Sequence, residues 1–172
     1  MNSRRTIVPA CASLLVAALV SGLPASAAEW AVWKGHDQVA PHAIYTTGTD
    51  ETGAILACDA KGELTAMLSL EPASLTDLMA RNARYARSTD GTLAVGSDMP
   101  AETTFRYTPA NKTIETKSHG IAAKVFNSAV LGEPLKVETK REGSIEAQLP
   151  APNDAFKAFA KTCSNLRNAN DA

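Results

Sequence analysis

Two cysteines constrain this chain more than any other feature of its sequence. Cys58 sits in "AILACDAKGELTAML" (54–68), which reads as strand, turn and strand, and Cys163 lies near the far end of the chain. A cysteine in a strand can be a nucleophile, a metal ligand or half of a disulfide. A nucleophilic thiol needs a base beside it, and no histidine is close to either cysteine in sequence. A structural zinc site takes four ligands, which two cysteines cannot supply. Pairing is left, and it depends on compartment, because disulfides persist where the surroundings are oxidising.

The amino terminus speaks to the compartment. "MNSRRTIVPACASLLVAALVSGLPASAAEW" opens with Arg4 and Arg5, runs apolar from about Cys11 to Val20, then breaks at Gly22 and Pro24 before small residues. That three-part pattern is the one a secretory signal peptide shows, with cleavage expected before Ala28 or before Glu29. The apolar run is about ten residues, half of the roughly 20 a membrane span requires. The expected organisation is therefore a signal peptide over 1–28 and a single exported domain over 29–172, long enough for one core. Without Arg4 and Arg5 there are 15 basic residues against 18 acidic ones. Such a balance offers no general attraction to nucleic acid or anionic lipid. No later apolar stretch reaches membrane length. In a periplasm or outside the cell, Cys58 and Cys163 are expected to pair. Closing that loop would stabilise the fold by roughly 4–5 kcal/mol in the chain-entropy model.

Periodicity divides the rest. Strands are expected at "EWAVW" (29–33), "HAIYTTG" (42–48), "GAILACD" (53–59) and "ELTAMLSL" (63–70), the last two joined by a turn in which Gly62 supplies permissive backbone. "EPASLTDLMARNARYAR" changes to helical spacing, with Ser74 as cap and Leu75, Leu78 and Met79 on one side. "STDG" and "GSDMP" read as loops. "ETTFRYT" (102–108) and "KTIETK" (112–117) form a hairpin. "IAAKVFNSAVLG" is a helix closed by Gly132. "PLKVETK" and "SIEAQL" form the clearest hairpin, Leu135 and Val137 matching Ile145, Ala147 and Leu149. Last comes a helix capped by Asn153 or Asp154, with Phe156, Phe159, Cys163 and Leu166 as its apolar stripe. The expected fold is α+β: a mostly antiparallel sheet or sandwich of about seven strands. Its helices fall near 74–87, 121–131 and 153–166, the last tied to a central strand by Cys58–Cys163.

Catalytic signatures are sparse. The chain has no G-x-S-x-G, S-x-x-K, H-E-x-x-H, C-x-x-C or phosphate-cradling glycine motif. His36 and His42 flank a loop with Asp37 nearby, and exposed loop histidines without a function are the favoured reading over a metal site. His119 follows Ser118, but sequence neighbours rarely have nucleophile–base geometry. No metal and no cofactor are expected. Two features could serve a partner: Trp30 and Trp33, of which strand alternation buries one ring, and the basic residues Arg81, Arg84 and Arg87 with Tyr85 on the first helix. For both, plain packing or a solvated face is the favoured account.

The order of elements, from "EWAVW" through "LACDAKGELTAMLSL" to "LPAPNDAFKAFAKTC", resembles small proteobacterial periplasmic proteins. It is distantly similar to the invasion-associated locus B family, whose members are exported, β-rich and cysteine-bridged. The resemblance implies an envelope β-sandwich. It departs from that family after Trp33, where "KGHDQ" lacks the family's early cysteine. The expected function is a non-enzymatic periplasmic or secreted protein that binds an envelope component or protein partner. An inhibitor of a secreted hydrolase such as lysozyme is the alternative, and an enzyme using His119 is a second one.

Overall fold

The structure is a computed structural model that describes residues 28–33, 42–47, 52–70 and 85–170. The signal peptide, Asp37 and His36, the Ser74 cap, and Arg81 and Arg84 lie outside the described residues. Nine strands and two helices are described: β1 (Glu29–Val32), β2 (His42–Thr47), β3 (Ala54–Cys58), β4 (Leu64–Ser69), β5 (Arg87–Val95), β6 (Ala101–Thr108), β7 (Thr113–Thr116), α1 (His119–Leu131), β8 (Leu135–Thr139), β9 (Gly143–Ala147) and α2 (Asp154–Asn170).

The strands form one antiparallel sheet in the order β1-β2-β3-β4-β7-β6-β5-β8-β9, curled into a half-barrel. Of the sheet or sandwich expected, the described residues form the single antiparallel sheet. Among the described residues no second sheet covers the inner face; α1 and α2 do, so helices supply the second layer that any half-apolar sheet needs. Val125 and Ala122 of α1 and Phe156 and Phe159 of α2 join Leu56, Leu68, Leu93 and Phe105 of the sheet in a single core. Phe156 is the pivot, 5.2 Å from the Trp30 ring and 4.7 Å from that of Phe126.

The helix signals worked as capping chemistry predicts. Gly132 ends α1 in the left-handed region at φ 68°, its N–H donating to Ser128 O. Asn153 begins α2, its Oδ1 accepting from Phe156 N–H at 3.1 Å. Two expectations fail at the same place. Tyr85 and Ala86 lie in no helix or strand, and Arg87 opens β5, so the helix expected through residue 87 does not reach it. "STDG" is not a loop but part of β5. Its turn-forming residues are held in a strand by tertiary contacts. The Asp90 carboxylate accepts from Lys140 Nζ at 3.1 Å and from Thr104 Oγ1 at 3.2 Å. Gly91 lets β8 come so near that an added Cβ would meet Glu138 O at 2.3 Å.

The Cys58–Cys163 disulfide is present, with Cα atoms 6.0 Å apart, and it rivets α2 to β3. Among the described residues no helix is long and apolar enough to cross a membrane.

Candidate functional site

The turn between β3 and β4 is organised by one carboxylate. Asp59 Oδ1 accepts from the backbone N–H of Lys61 at 2.8 Å and of Glu63 at 2.9 Å, while Asp59 O accepts from Gly62 N–H. These bonds favour the ionised form: the Glu63 N–H above all outweighs the opposing effect of burial and, with the Lys61 N–H and the charges of Lys61 and His119, holds the Asp59 carboxyl below its ordinary value. Gly62, at φ +76°, lies against the backbone of α2. A Cβ there would fall 2.3 Å from Cys163 O and 2.7 Å from Arg167 N. Only glycine combines that conformation with that approach.

Beside this turn lies a cleft of about 810 Å³, lined by Lys61, Glu63 and Leu64 from the hairpin, His119, Gly120 and Ala123 from α1, and Arg167 and Asn170 from α2. Each wall is tied to the turn. Arg167 Nη2 donates to Gly62 O at 3.1 Å and Asn170 Nδ2 to Ala60 O at 3.4 Å. His119 Nδ1 lies 3.2 Å from Leu64 O, and its Nε2 lies 3.3 Å from Glu63 Oε2. The disulfide sits directly behind, at the end of β3. Three separate segments therefore make one rigid recess. α1 presents its N-terminus here without a carboxylate in its first turn and without a side-chain cap from Ser118.

A second recess of about 660 Å³ runs over β5, β6 and β8. Its Asp90 and Lys140 are already bonded to each other, and it is lined mainly by threonine and carboxylate side chains.

The residues singled out from sequence fall in different places. Trp30 is inside the core, 2% exposed, with Nε1 donating to Pro150 O at 2.8 Å. Trp33 is the half-buried ring of the two, set edge-on to Tyr45 at 5.6 Å on the outer face. Tyr85 is 81% exposed and Arg87 is exposed on β5, so the basic helical face does not include Arg87. His42 stands opposite Cys58 in the β2–β3 register. Among the described residues no group of three or more histidine, cysteine, aspartate or glutamate side chains could hold a metal. Of the sequence candidates among the described residues, only His119 lines the cleft. Glu63, Arg167 and Asn170 were missed, since nothing in their spacing connects a hairpin to the last turns of a helix.

No family model, no curated protein and no solved structure matches this chain. The likeness to the invasion-associated locus B family rests on the quoted residues alone.

Proposed function

We propose that this chain is an exported, non-catalytic binding module of the periplasm or cell exterior. In this reading it holds a carboxylate-bearing component of the bacterial envelope in the cleft between the β3–β4 turn, α1 and α2. The observation that carries the reading is the construction of that cleft. Lys61 and Arg167 bring two fixed positive charges against the single lining carboxylate, Glu63, which is already engaged by His119. Asp59 stands nearby, but its carboxylate is turned to backbone N–H groups. A recess braced by a disulfide is preorganised, which lowers the ordering cost of binding. Both ring nitrogens of His119 face protein acceptors. That supports a positioning role for this residue rather than that of a general base.

The test is an NMR titration with soluble cell-wall glycopeptide fragments. Shifts are expected at Gly120, Ala123 and the Asn170 side chain. Lys61→Glu and Arg167→Glu should each weaken binding about tenfold, about 1.4 kcal/mol. Shifts confined to other surfaces, or affinity unchanged in both variants, would overturn the reading. Slowing of lysozyme by excess protein, indifferent to both substitutions, would move the function to hydrolase inhibition instead.

A further inference from the structure

A sheet that does not close has two edges, and this one treats them differently. In an antiparallel ladder, alternate residues turn their N–H and C=O groups to opposite sides. Trp33 N–H donates to Ala43 O at 2.9 Å, directly opposite in register. Glu29, Ala31 and Trp33 therefore bond to β2, and Trp30 and Val32 face the open side. There α2 intervenes, because Asn153 Nδ2 donates to Trp30 O at 2.8 Å. The β1 edge is capped at its centre by the residue that also starts the last helix.

At the other edge, Gly96 N–H donates to Pro134 O at 2.9 Å, which fixes the alternation along β8. Lys136 and Glu138 bond to β5, while Leu135, Val137 and Thr139 bond to Ala147, Ile145 and Gly143 of β9. Ser144 and Glu146 are left presenting N–H and C=O groups to the open side. No other described residue bonds to them. Between them, Ile145 is only half-buried on the inner face. A bare strand edge is a template for another strand.

We propose that β9 pairs with β9 of a second copy of this chain, antiparallel about a two-fold axis through Ile145, so that two half-barrels share one continuous sheet. The strand is self-complementary in this register. All of Gly143–Ala147 overlaps, and each Ser144 faces Glu146 of the other copy, hydroxyl to carboxylate. The two Ile145 side chains meet in the non-hydrogen-bonded pair, where side chains approach most closely. Sliding one strand by two residues would either set the Glu146 carboxylates directly opposite each other, which is repulsive, or shorten the overlap.

Sedimentation of the purified protein over micromolar to millimolar concentration tests this. The mass is expected to double as concentration rises. Glu146→Pro removes only an outward N–H, a position where a strand tolerates proline, and should give a monomer with an unchanged thermal midpoint. If that variant fails to fold, Ile145→Cys decides, since paired Cα atoms about 4.5 Å apart can be bridged and a linked dimer should form on mild oxidation. Amide exchange at Ser144 and Glu146 should be slow in concentrated protein and fast on dilution. A monomer at every concentration, or a Glu146→Pro variant that still dimerises, overturns the proposal. A strand of another protein pairing with β9 while this chain stays monomeric overturns it too.

Discussion

The first four strands and the last five differ on the outer face of the sheet, and one cross-strand row crosses the boundary. It runs Ala31, Tyr45, Ile55, Met67, Glu115, Arg106, Ser88, from β1 to β5. Apolar side chains fill it as far as β4. At β7 and β6 it becomes an ion pair, Glu115 to Arg106 at 3.1 Å. In the first part Ala43, Ile55 and Ala57 are buried on the outer face as Ile44, Leu56 and Cys58 are on the inner one. Beyond the boundary the outer positions include Asp90, Thr104, Lys136 and Glu138, joined by hydrogen bonds and ion pairs at the surface, with Ala94 alone of the apolar ones on β5 and β8 buried there. One part of the sheet is thus held from both sides and carries the disulfide. The other is held mainly from its inner side. Preorganised recognition suits the first, and the cleft lies at its end. An open edge suits the second.

The largest test of that contrast removes the rivet. Cys58→Ala with Cys163→Ala should cost about 4 kcal/mol, read by urea unfolding. The faster amide exchange should concentrate in β1–β3 and α2, and β5–β8 should keep most of its protection. Equal loss over the whole sheet would show that the two parts do not differ in how they are held.

Next in size is a pair of truncations on the outer face. Ile55→Ala should cost about 2–4 kcal/mol, because Ile55 is 6% exposed and leaves a cavity. Thr92→Ala on β5 should stay within about 0.5 kcal/mol. Similar costs at both positions would erase the boundary.

What the sequence disclosed follows the same division. The β3–β4 and β8–β9 hairpins and the α2 stripe could be read because each is local or rests on strict alternation, and the distant Cys58–Cys163 pair because only two cysteines follow the expected signal peptide. β5 could not. Asp90 and Gly91 are turn formers, and only Lys140, Thr104 and the nearness of Glu138 make a strand of them. Strand order was equally hidden, since the β4–β7 and β5–β8 pairings set the curl and leave no short-range trace. In the cleft, His119 stood out as a residue type. Its setting did not, because Glu63 and Arg167 reach it only through the packing of α1 and α2 on one hairpin.

Gly62→Ala comes third, at about 1–3 kcal/mol for strain in a left-handed conformation. The contact with Cys163 O means that the end of α2 must shift, so binding of the cell-wall probe should weaken along with stability. Stability lost with binding intact would detach the cleft from the braced region.

Smaller again is the boundary pair. Arg106 is 59% exposed and Glu115 20%, so a double-mutant cycle should give only about 0.2–1 kcal/mol, reduced by added salt. A coupling well above that would mean the two parts are joined electrostatically rather than by the inner core.

The smallest effect concerns acid. Asp59 is ionised and bonded to two backbone N–H groups in the folded chain, which lowers its pKa from the ordinary 3.8. A depressed carboxylate contributes stability above its unfolded pKa and loses it as pH falls through the folded one. The advantage of the wild type over Asp59→Asn should therefore be constant near neutrality and shrink below about pH 4. Because this carboxylate organises the turn under the cleft, amide shifts at Lys61 and Glu63 should appear only as pH falls below the ordinary carboxylate value of 3.8. The same shifts already complete above pH 4 would show that the two N–H groups do not hold this carboxylate ionised.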